Sequence, residues 1–385
     1  MSIKVHGLSY IHPNKDILFQ NISFSVSEGE KCAIVGNNGI GKSTLLSIIA
    51  GNTSAATGSV LCSTTPYIIP QHFGQFNSKT VAEALGVSDK LNALSSILGG
   101  NASMDDFTVL NDEWDIKERL QEAFARWEIG YVTPDMFMGD LSGGEKTKVF
   151  LAGMYFFHPS IILMDEPTNH LDIRGRALLN EFVRHTNDTV LIVSHDRVLL
   201  NILSSIYELS PSGIQFYPMC YSDYKKTVDA ERVSIEARVQ NQQKELAKAE
   251  KEAQKVMERQ QKHASRGEKQ SSKKCLARIA QGNLRDKSES STSRLKKIYQ
   301  ERLQAMKQDV NNLQTSISKH SSMQVVIGNS QLPENKRLLE LVNVTYQYPG
   351  RTFMWINSPL NLSIYSWERI WLQGDNGCGK STLLK

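Results

Sequence analysis

The pattern GxxxxGK[ST] occurs twice in this 385-residue chain, as Gly36-Asn-Asn-Gly-Ile-Gly-Lys-Ser43 and as Gly374-Asp-Asn-Gly-Cys-Gly-Lys-Ser381. Glycines at these positions let successive backbone N–H groups turn inward around phosphate oxygens. The lysine then reaches the outer phosphates, and the hydroxyl sits at a helix N-terminus, where it can ligate Mg²⁺. Such a loop works only between a buried strand and a helix, and residues 32–35 and 43–50 read as that strand and that helix. The match extends upstream, where Leu8-Ser-Tyr10 is echoed by Val344-Thr-Tyr346 and Asn21-Ile-Ser-Phe-Ser-Val26 by Leu360-Asn-Leu-Ser-Ile364. A spacing of 338 residues is far too long for a solenoid repeat. It indicates a duplicated domain and whatever separates the copies.

Residues 1–222 alternate short apolar strands, such as Ser160-Ile-Ile-Leu-Met164 and Thr189-Val-Leu-Ile-Val193, with helical patterns. This predicts an α/β P-loop domain around a buried sheet. Between about 72 and 140 the strand signal fades, and segments such as Trp114–Trp127 predict an inserted helical subdomain. Residues 223–320 differ again, with 23 Lys or Arg against 13 Asp or Glu, a net of +10, and no proline between Pro218 and Pro333. Leu303, Met306, Val310, Leu313 and Ile317 recur at steps of three and four, a coiled-coil seam. An earlier helix carries Val228, Val233, Leu246, Ala249, Ala253, Val256 and Met257, while Gly267, Ser271, Ser272, Gly282 and residues 288–293 interrupt the middle. The pattern predicts a long helical hairpin with a broken tip, each arm of about 30–40 residues reaching roughly 45–60 Å. Residues 337–385 restart the strand pattern and end after the second glycine-rich loop, so the second domain is expected to be present only as its first part.

Composition excludes several classes. The chain has 44 Lys or Arg and 40 Asp or Glu, an excess too small to imply an acidic partner by itself. No apolar run approaches the roughly 18–20 residues of a bilayer span, and the start lacks the apolar core of a signal peptide, so a membrane transporter in its own right or a secreted protein is not expected. Cys32, Cys62, Cys220, Cys275 and Cys378 are scattered, with neither a disulfide framework nor a zinc spacing, which suits a cytoplasmic protein.

The acidic partner of a phosphate loop follows an apolar strand, and Ile161-Ile-Leu-Met-Asp165-Glu166 supplies it. Asp165 can hold the Mg²⁺ shell and Glu166 can take a proton from an attacking water. Leu141-Ser-Gly-Gly-Glu145 precedes that strand, and Pro167-Thr-Asn-His-Leu-Asp172 follows the acidic pair. Together these motifs resemble the ATP-binding cassette (ABC) ATPases. The resemblance implies ATP and Mg²⁺ as cofactors. It implies that Gly36, Asn37, Asn38, Gly39, Gly41, Lys42, Ser43 and Thr44, and in the second copy Gly374, Gly379, Lys380, Ser381 and Thr382, hold nucleotide. By the same likeness Ser142, Gly143 and Gly144 form a signature that caps ATP held by an opposite domain. Gln71 joins Ser43 and Asp165 around Mg²⁺, His195 polarises the γ-phosphate beside the base Glu166, and Tyr10 and Tyr346 stack on adenine.

Two nucleotide domains in one chain, the string Asp165-Glu-Pro-Thr-Asn-His-Leu-Asp172 and a basic helical linker are similar to the ABC-F subfamily, whose members bind the ribosome and act on translation, some protecting it from antibiotics. From Lys262 to Arg302 there are 12 basic residues against four acidic ones. Arg266, Lys273, Lys274, Arg278, Arg285, Arg294, Lys296 and Lys297 are the candidate RNA contacts. A basic tip of this kind suits phosphate backbones through counterion release. With Tyr299 its only aromatic, structured RNA fits better than stacked single strands. Three alternatives stand beside this reading: the ATPase subunit of a membrane transporter, a DNA-maintenance ATPase, and an inactive remnant of a translation factor. The second domain has no signature, acidic pair or switch histidine of its own, so hydrolysis by this chain is expected to need a head-to-tail homodimer.

Overall fold

The computed structural model describes residues 2–12, 14, 16–211, 213–271, 297, 298, 300–311, 333, 335–347, 355, 358–374 and 378–384. The chain divides into two compact units, Met1–Tyr224 with Ile327–Lys385, and Lys225–Val326.

In the first unit, β1 (Ile3–Ile11), β2 (Ile17–Val26) and, after the first phosphate loop, β4 (Thr57–Cys62) form an antiparallel sheet in the order β2-β1-β4. The second sheet uses β3 (Lys31–Val35), β5 (Tyr67–Ile69), β6 (Ile161–Asp165), β7 (Thr189–Val193), β8 (Ser205–Ser210) and β9 (Gly213–Tyr217) in the order β5-β6-β7-β3-β8-β9. Its first five strands run parallel and β9 closes the edge antiparallel to β8. Every residue of β6 and β7 is buried, which explains why these segments read as unbroken apolar runs: both faces of a central parallel strand are covered. Helix α1 (Lys42–Ile49) brings Leu45, Leu46 and Ile49 into one core with Ile3, Leu8 and Ile22 of the small sheet and Ile34, Leu191 and Leu209 of the large one. Each such side chain contributes roughly 1.5–3 kcal/mol by leaving water.

Between β5 and β6 the chain forms α2 (Val81–Leu85), α3 (Ser88–Leu98), α4 (Met104–Leu110), α5 (Ile116–Arg126) and α6 (Gly143–Phe157). Thr80, Ser103 and Ser142 each start a helix with a reciprocal capping box, so the local sequence fixes these N-termini. Leu110, Ile116, Leu120, Phe124 and Trp127 are buried there. Helix α7 (Ile173–His185) and the short α8 (Arg197–Leu200) complete the first 200 residues.

The second unit contains most of α9 (Tyr221–Ser271), a single helix of 51 residues. It is longer than the expected arm, about 77 Å at 1.5 Å per residue. Gly267 does not interrupt it. One glycine costs only about 1 kcal/mol in a helix, and Arg266, Glu268, Lys269 and Gln270 around it are good helix formers. Residues 300–311 are also helical, Lys307 pairs with Glu250 at 2.9 Å, and Ala253 and Val310 are buried. Leu303 and Met306 are half-buried; Leu313 and Ile317 lie outside the described residues. Toward the C-terminus, β10 (Arg337–Val344) pairs antiparallel with β11 (Leu360–Tyr365), and α10 (Lys380–Leu384) begins inside the second glycine-rich loop.

Candidate nucleotide-binding site

Four neighbouring parallel strands deliver the candidate residues to one edge of the large sheet. The register aligns Asp165 of β6 with Val193 of β7, and Val193 with Ile34 of β3, so these strands end level with one another. The phosphate loop leaves β3, the acidic pair ends β6, His195 follows β7 and Gln71 follows β5. Ligands of open α/β sheets bind at this carboxyl edge. A cleft of about 520 Å³ opens there. It is lined by Asn38, Gly39, Gly41, Lys42, Ser43 and Thr44 from the loop, and by Gln71, Asp165, Glu166 and His195.

Glycine is required in the loop for two different reasons. Gly36 has φ +154°, and a Cβ there would lie 2.4 Å from the Leu209 carbonyl oxygen; at Gly41, φ +102°, it would lie 2.5 Å from Leu18 Cδ2. Gly39 has φ +78° with nothing within 4 Å, so only its backbone conformation demands glycine. The Lys42 ammonium donates to the carbonyl oxygens of Gly36 at 2.8 Å and Asn37 at 3.1 Å. Gly36 and Asn37 thus hold the lysine rather than line the cleft. Burial lowers the Lys42 pKa, and the charges of Glu166 and Asp165 work against that.

Asp165 and Glu166 are both buried carboxylates. Burial raises the pKa of Asp165; the hydroxyl of Ser43, which donates to it, and the charges of Lys42 and His72 offset part of the rise. Its Oδ1 has no hydrogen-bond partner. A buried anionic oxygen left over beside a serine hydroxyl and a half-buried glutamine is a hard-oxygen set of the kind that holds Mg²⁺, so Ser43, Gln71 and Asp165 fit that ion. Glu166 adopts φ +49° directly after the strand and donates its N–H to the Val193 carbonyl at 2.8 Å. Its Oε2 accepts from the His195 N–H at 3.3 Å and its Oε1 lies 3.4 Å from His195 Nε2. Burial raises its pKa, the His195 charge and N–H lower it, and Asp165 raises it further.

Other candidates lie elsewhere. Tyr10 is not in the cleft lining; its half-buried ring packs 6.2 Å from Phe19 and 5.4 Å from His12. His12, two residues on, lines the cleft with Leu18, Asn169 and Val193, none of which the sequence singled out as a site residue. Strand alternation gives no signal for His12, because the pairing of β1 with β2 is irregular at Tyr10 and Ile11 and β1 ends before position 12. Ser142, Gly143 and Gly144 are also outside this lining. Ser142 caps α6, accepting from the Glu145 N–H at 3.3 Å while its own N–H donates to Glu145 Oε2 at 2.6 Å, and the Tyr131 hydroxyl donates to Glu145 Oε1.

In the second copy the loop repeats the first: Lys380 donates to the Gly374 carbonyl at 2.7 Å and Gly379 has φ +96°. Thr382 is half-buried and Tyr346 is exposed. Of the basic residues, Arg266 and Lys297 are exposed on helices; Lys273, Lys274, Arg278, Arg285, Arg294 and Lys296 lie outside the described residues. Among the described residues no helix is long and apolar enough to cross a membrane.

The ABC transporter family model matches residues 19–169, a span that includes the phosphate loop, the signature and the acidic pair. The chain is 25% identical over 96% of its length to ABC transporter F family member 5 of Arabidopsis thaliana, covering 52% of that protein. It is 27% identical over 95% of its length to the ribosome protection protein VmlR of Bacillus subtilis, covering 58% of it. It is 29% identical over 60% of its length to the tylosin resistance ATP-binding protein TlrC of Streptomyces fradiae, covering 46% of it. The chain therefore spans about half the length of these relatives. Residues 19–169 are thus similar to the ABC transporter family, and the relatives of the chain include an F-family member, a ribosome protection protein and a tylosin resistance ATP-binding protein.

Proposed function

We propose that the cleft binds MgATP, that the chain hydrolyses it in a composite site, and that the cycle acts on the ribosome in the cytoplasm. In this reading residues 1–222 are the first cassette, 223–320 a basic hairpin and 337–385 the start of a second cassette. The observation that carries the nucleotide part is the convergence of Lys42, Asp165, Glu166 and His195 on one cleft at the carboxyl edge of the sheet. The ribosomal part is supported by the relatives' names and by the net +10 of residues 223–320.

Each group then has a task. Lys42, now satisfied by the loop's own carbonyls, exchanges those bonds for phosphate oxygens. Ser43, Gln71 and Asp165 hold Mg²⁺, which neutralises phosphate charge when bound. Glu166 accepts the proton of the attacking water, and burial suits it to that role by raising its affinity for a proton. His195 orients Glu166 through its N–H and reaches the γ-phosphate with its exposed ring. Ser142, Gly143 and Gly144 cap the nucleotide of an opposite cassette, supplied by a head-to-tail copy. Tyr346 serves the second loop, while His12 takes the adenine-facing place expected of Tyr10. The tract 262–302, including Arg266 and Lys297, contacts ribosomal RNA phosphates.

The test is ribosome pelleting with the Glu166→Gln chain. ATP-dependent co-sedimentation that ADP does not support is the expected result; failure to bind ATP, or pelleting indifferent to nucleotide, overturns the proposal. The family description keeps a transporter ATPase subunit as the second reading, which ATP-dependent recovery with membranes instead of ribosomes would favour.

A further inference from the structure

The turn that follows the acidic pair is tied down at both ends. The Asn169 N–H donates to the Glu166 carbonyl at 3.2 Å and the Leu171 N–H to the Thr168 carbonyl at 3.3 Å. Thr168 and Leu171 are buried, while His170 between them is exposed. The His170 ring nonetheless lies on Gly143, the first residue of α6. A Cβ at Gly143 would sit 3.4 Å from both Cγ and Nδ1 of the imidazole and 3.7 Å from its Cβ. The ring also meets Phe73, two residues after Gln71, with centroids 6.4 Å apart and planes at 61°. Phe73 in turn stacks on Phe150 of α6 at 5.4 Å. Two residues beyond His170, Asp172 lies 3.7 Å from Lys148 of α6, both side chains being buried, and it caps α7 by accepting from the Gly175 N–H at 2.7 Å.

We infer that His170 is a positioning residue that seats the Ser142–Gly144 segment against the turn carrying Glu166. Three loops that serve different parts of the site meet at this one ring: the segment after Gln71 through Phe73, the acidic-pair turn through His170 itself, and the start of α6 through Gly143. The imidazole lies against the Gly143 backbone at the distance where a Cβ there would make ordinary van der Waals contact. The buried Lys148–Asp172 pair anchors the far end of the same turn independently of the ring. The consequence for catalysis rests on the nucleotide reading above: Ser142 would keep its aim at an opposite nucleotide only while the ring is in place.

Amide hydrogen exchange on the full chain tests the seat without needing turnover. In His170→Ala, exchange in residues 141–146 should quicken by about three- to ten-fold, the change that loss of one aromatic contact produces, with residues 42–49 unaltered. His170→Phe keeps a planar ring and should restore the parental rate. Unchanged exchange at 141–146 in the alanine variant overturns the inference. So do equal rates in the alanine and phenylalanine variants, or acceleration shared with residues 42–49, which would mean general loosening. Binding of a fluorescent ATP analogue, measured on the same parent sample, separates the two claims: a chain that does not bind it overturns the functional proposal and leaves the exchange result to decide the seat.

Discussion

Replacing Asp165 with asparagine should stabilise the nucleotide-free protein while impairing its response to MgATP. The side chain is 6% exposed, burial is the leading cause of its raised pKa, and its Oδ1 has no partner. Leaving a buried polar atom unsatisfied costs about 1–3 kcal/mol. Asparagine keeps the shape and removes the charge but still leaves a carbonyl short of donors, so about 1–2 kcal/mol should be recovered. Lys42 keeps Glu166 as its counter-charge. For a domain of this size that is a rise in Tm of about 2–8 °C. The pH dependence has a definite sign. A carboxyl whose folded pKa is raised gives its full stabilisation below the ordinary value of 3.8 and loses it as pH rises through the folded value. The advantage of the asparagine variant therefore grows from acid toward neutral pH and vanishes at low pH. With MgATP the order should reverse, since ligand at about 100 times Kd adds about 2.7 kcal/mol to whichever protein binds it. Thermal unfolding of both proteins, in chelator and in MgATP across that pH range, is the assay. An asparagine variant less stable than the parent in chelator at neutral pH, or equal stabilisation of both by MgATP, would refute the reasoning.

Glu166→Gln should lower ATP turnover by about 10²- to 10⁴-fold while nucleotide binding persists. In the parent the acid limb of the rate profile should lie above the ordinary 4.5 of a glutamate, and a limb at or below that value would contradict the role of burial. Gly36→Ala, whose Cβ meets a backbone oxygen at 2.4 Å, should abolish nucleotide binding, whereas Gly39→Ala, with open space, should cost only roughly 1–2 kcal/mol of backbone strain; calorimetric titration with ATP compares them. Changing Lys273, Lys274, Arg278, Arg294, Lys296 and Lys297 to glutamate should weaken ribosome binding and flatten its dependence on salt, and an unaltered slope of log K against log salt would exclude phosphate contacts there.

The loops that make the cleft were legible because each carries its own chemistry in a few consecutive residues. The phosphate loop needs glycine where the backbone must adopt positive φ, as at Gly36, Gly39 and Gly41. The acidic pair ends an apolar strand whose burial on both faces leaves an unbroken hydrophobic run. His12, Leu18 and Asn169 were not legible in the same way, since their place in the cleft depends on how the small sheet and the acidic-pair turn meet the loop. Tyr10 lies outside the cleft lining, packed beside Phe19 and His12, and nothing in the sequence shows which of these nearby rings lines the cleft. The arm broke the expectation at Gly267, because a glycine signals a turn by its freedom, and that freedom costs a long helix little when strong helix formers flank it. The contact between His170 and Gly143 is invisible in sequence, being made by residues 27 positions apart whose spacing follows no local period.

The two copies of the phosphate loop share a further property that bears on how the site works. Lys42 donates to the carbonyl of Gly36 at 2.8 Å, and Lys380 to that of Gly374 at 2.7 Å. In each, an ammonium group that lies within its own loop uses that loop's first carbonyl as a partner. Phosphate then replaces a bond rather than creating one, so the gain on binding is the difference between a charged oxygen and a neutral carbonyl, of order 1 kcal/mol per bond and not the full strength of an ion pair. The same reasoning applies to Asp165, but with the opposite starting point. Its Oδ1 has no partner to give up, so a cation beside it relieves a cost already present. Affinity in this cleft should accordingly depend more steeply on the divalent ion than on the lysine: withdrawing Mg²⁺ from the parent should weaken ATP binding by a larger factor than Lys42→Met does in its presence. Calorimetric titrations of ATP under both conditions compare the two losses directly, and a larger loss from the lysine would show that the pre-paired donor, not the unpaired carboxylate oxygen, dominates recognition.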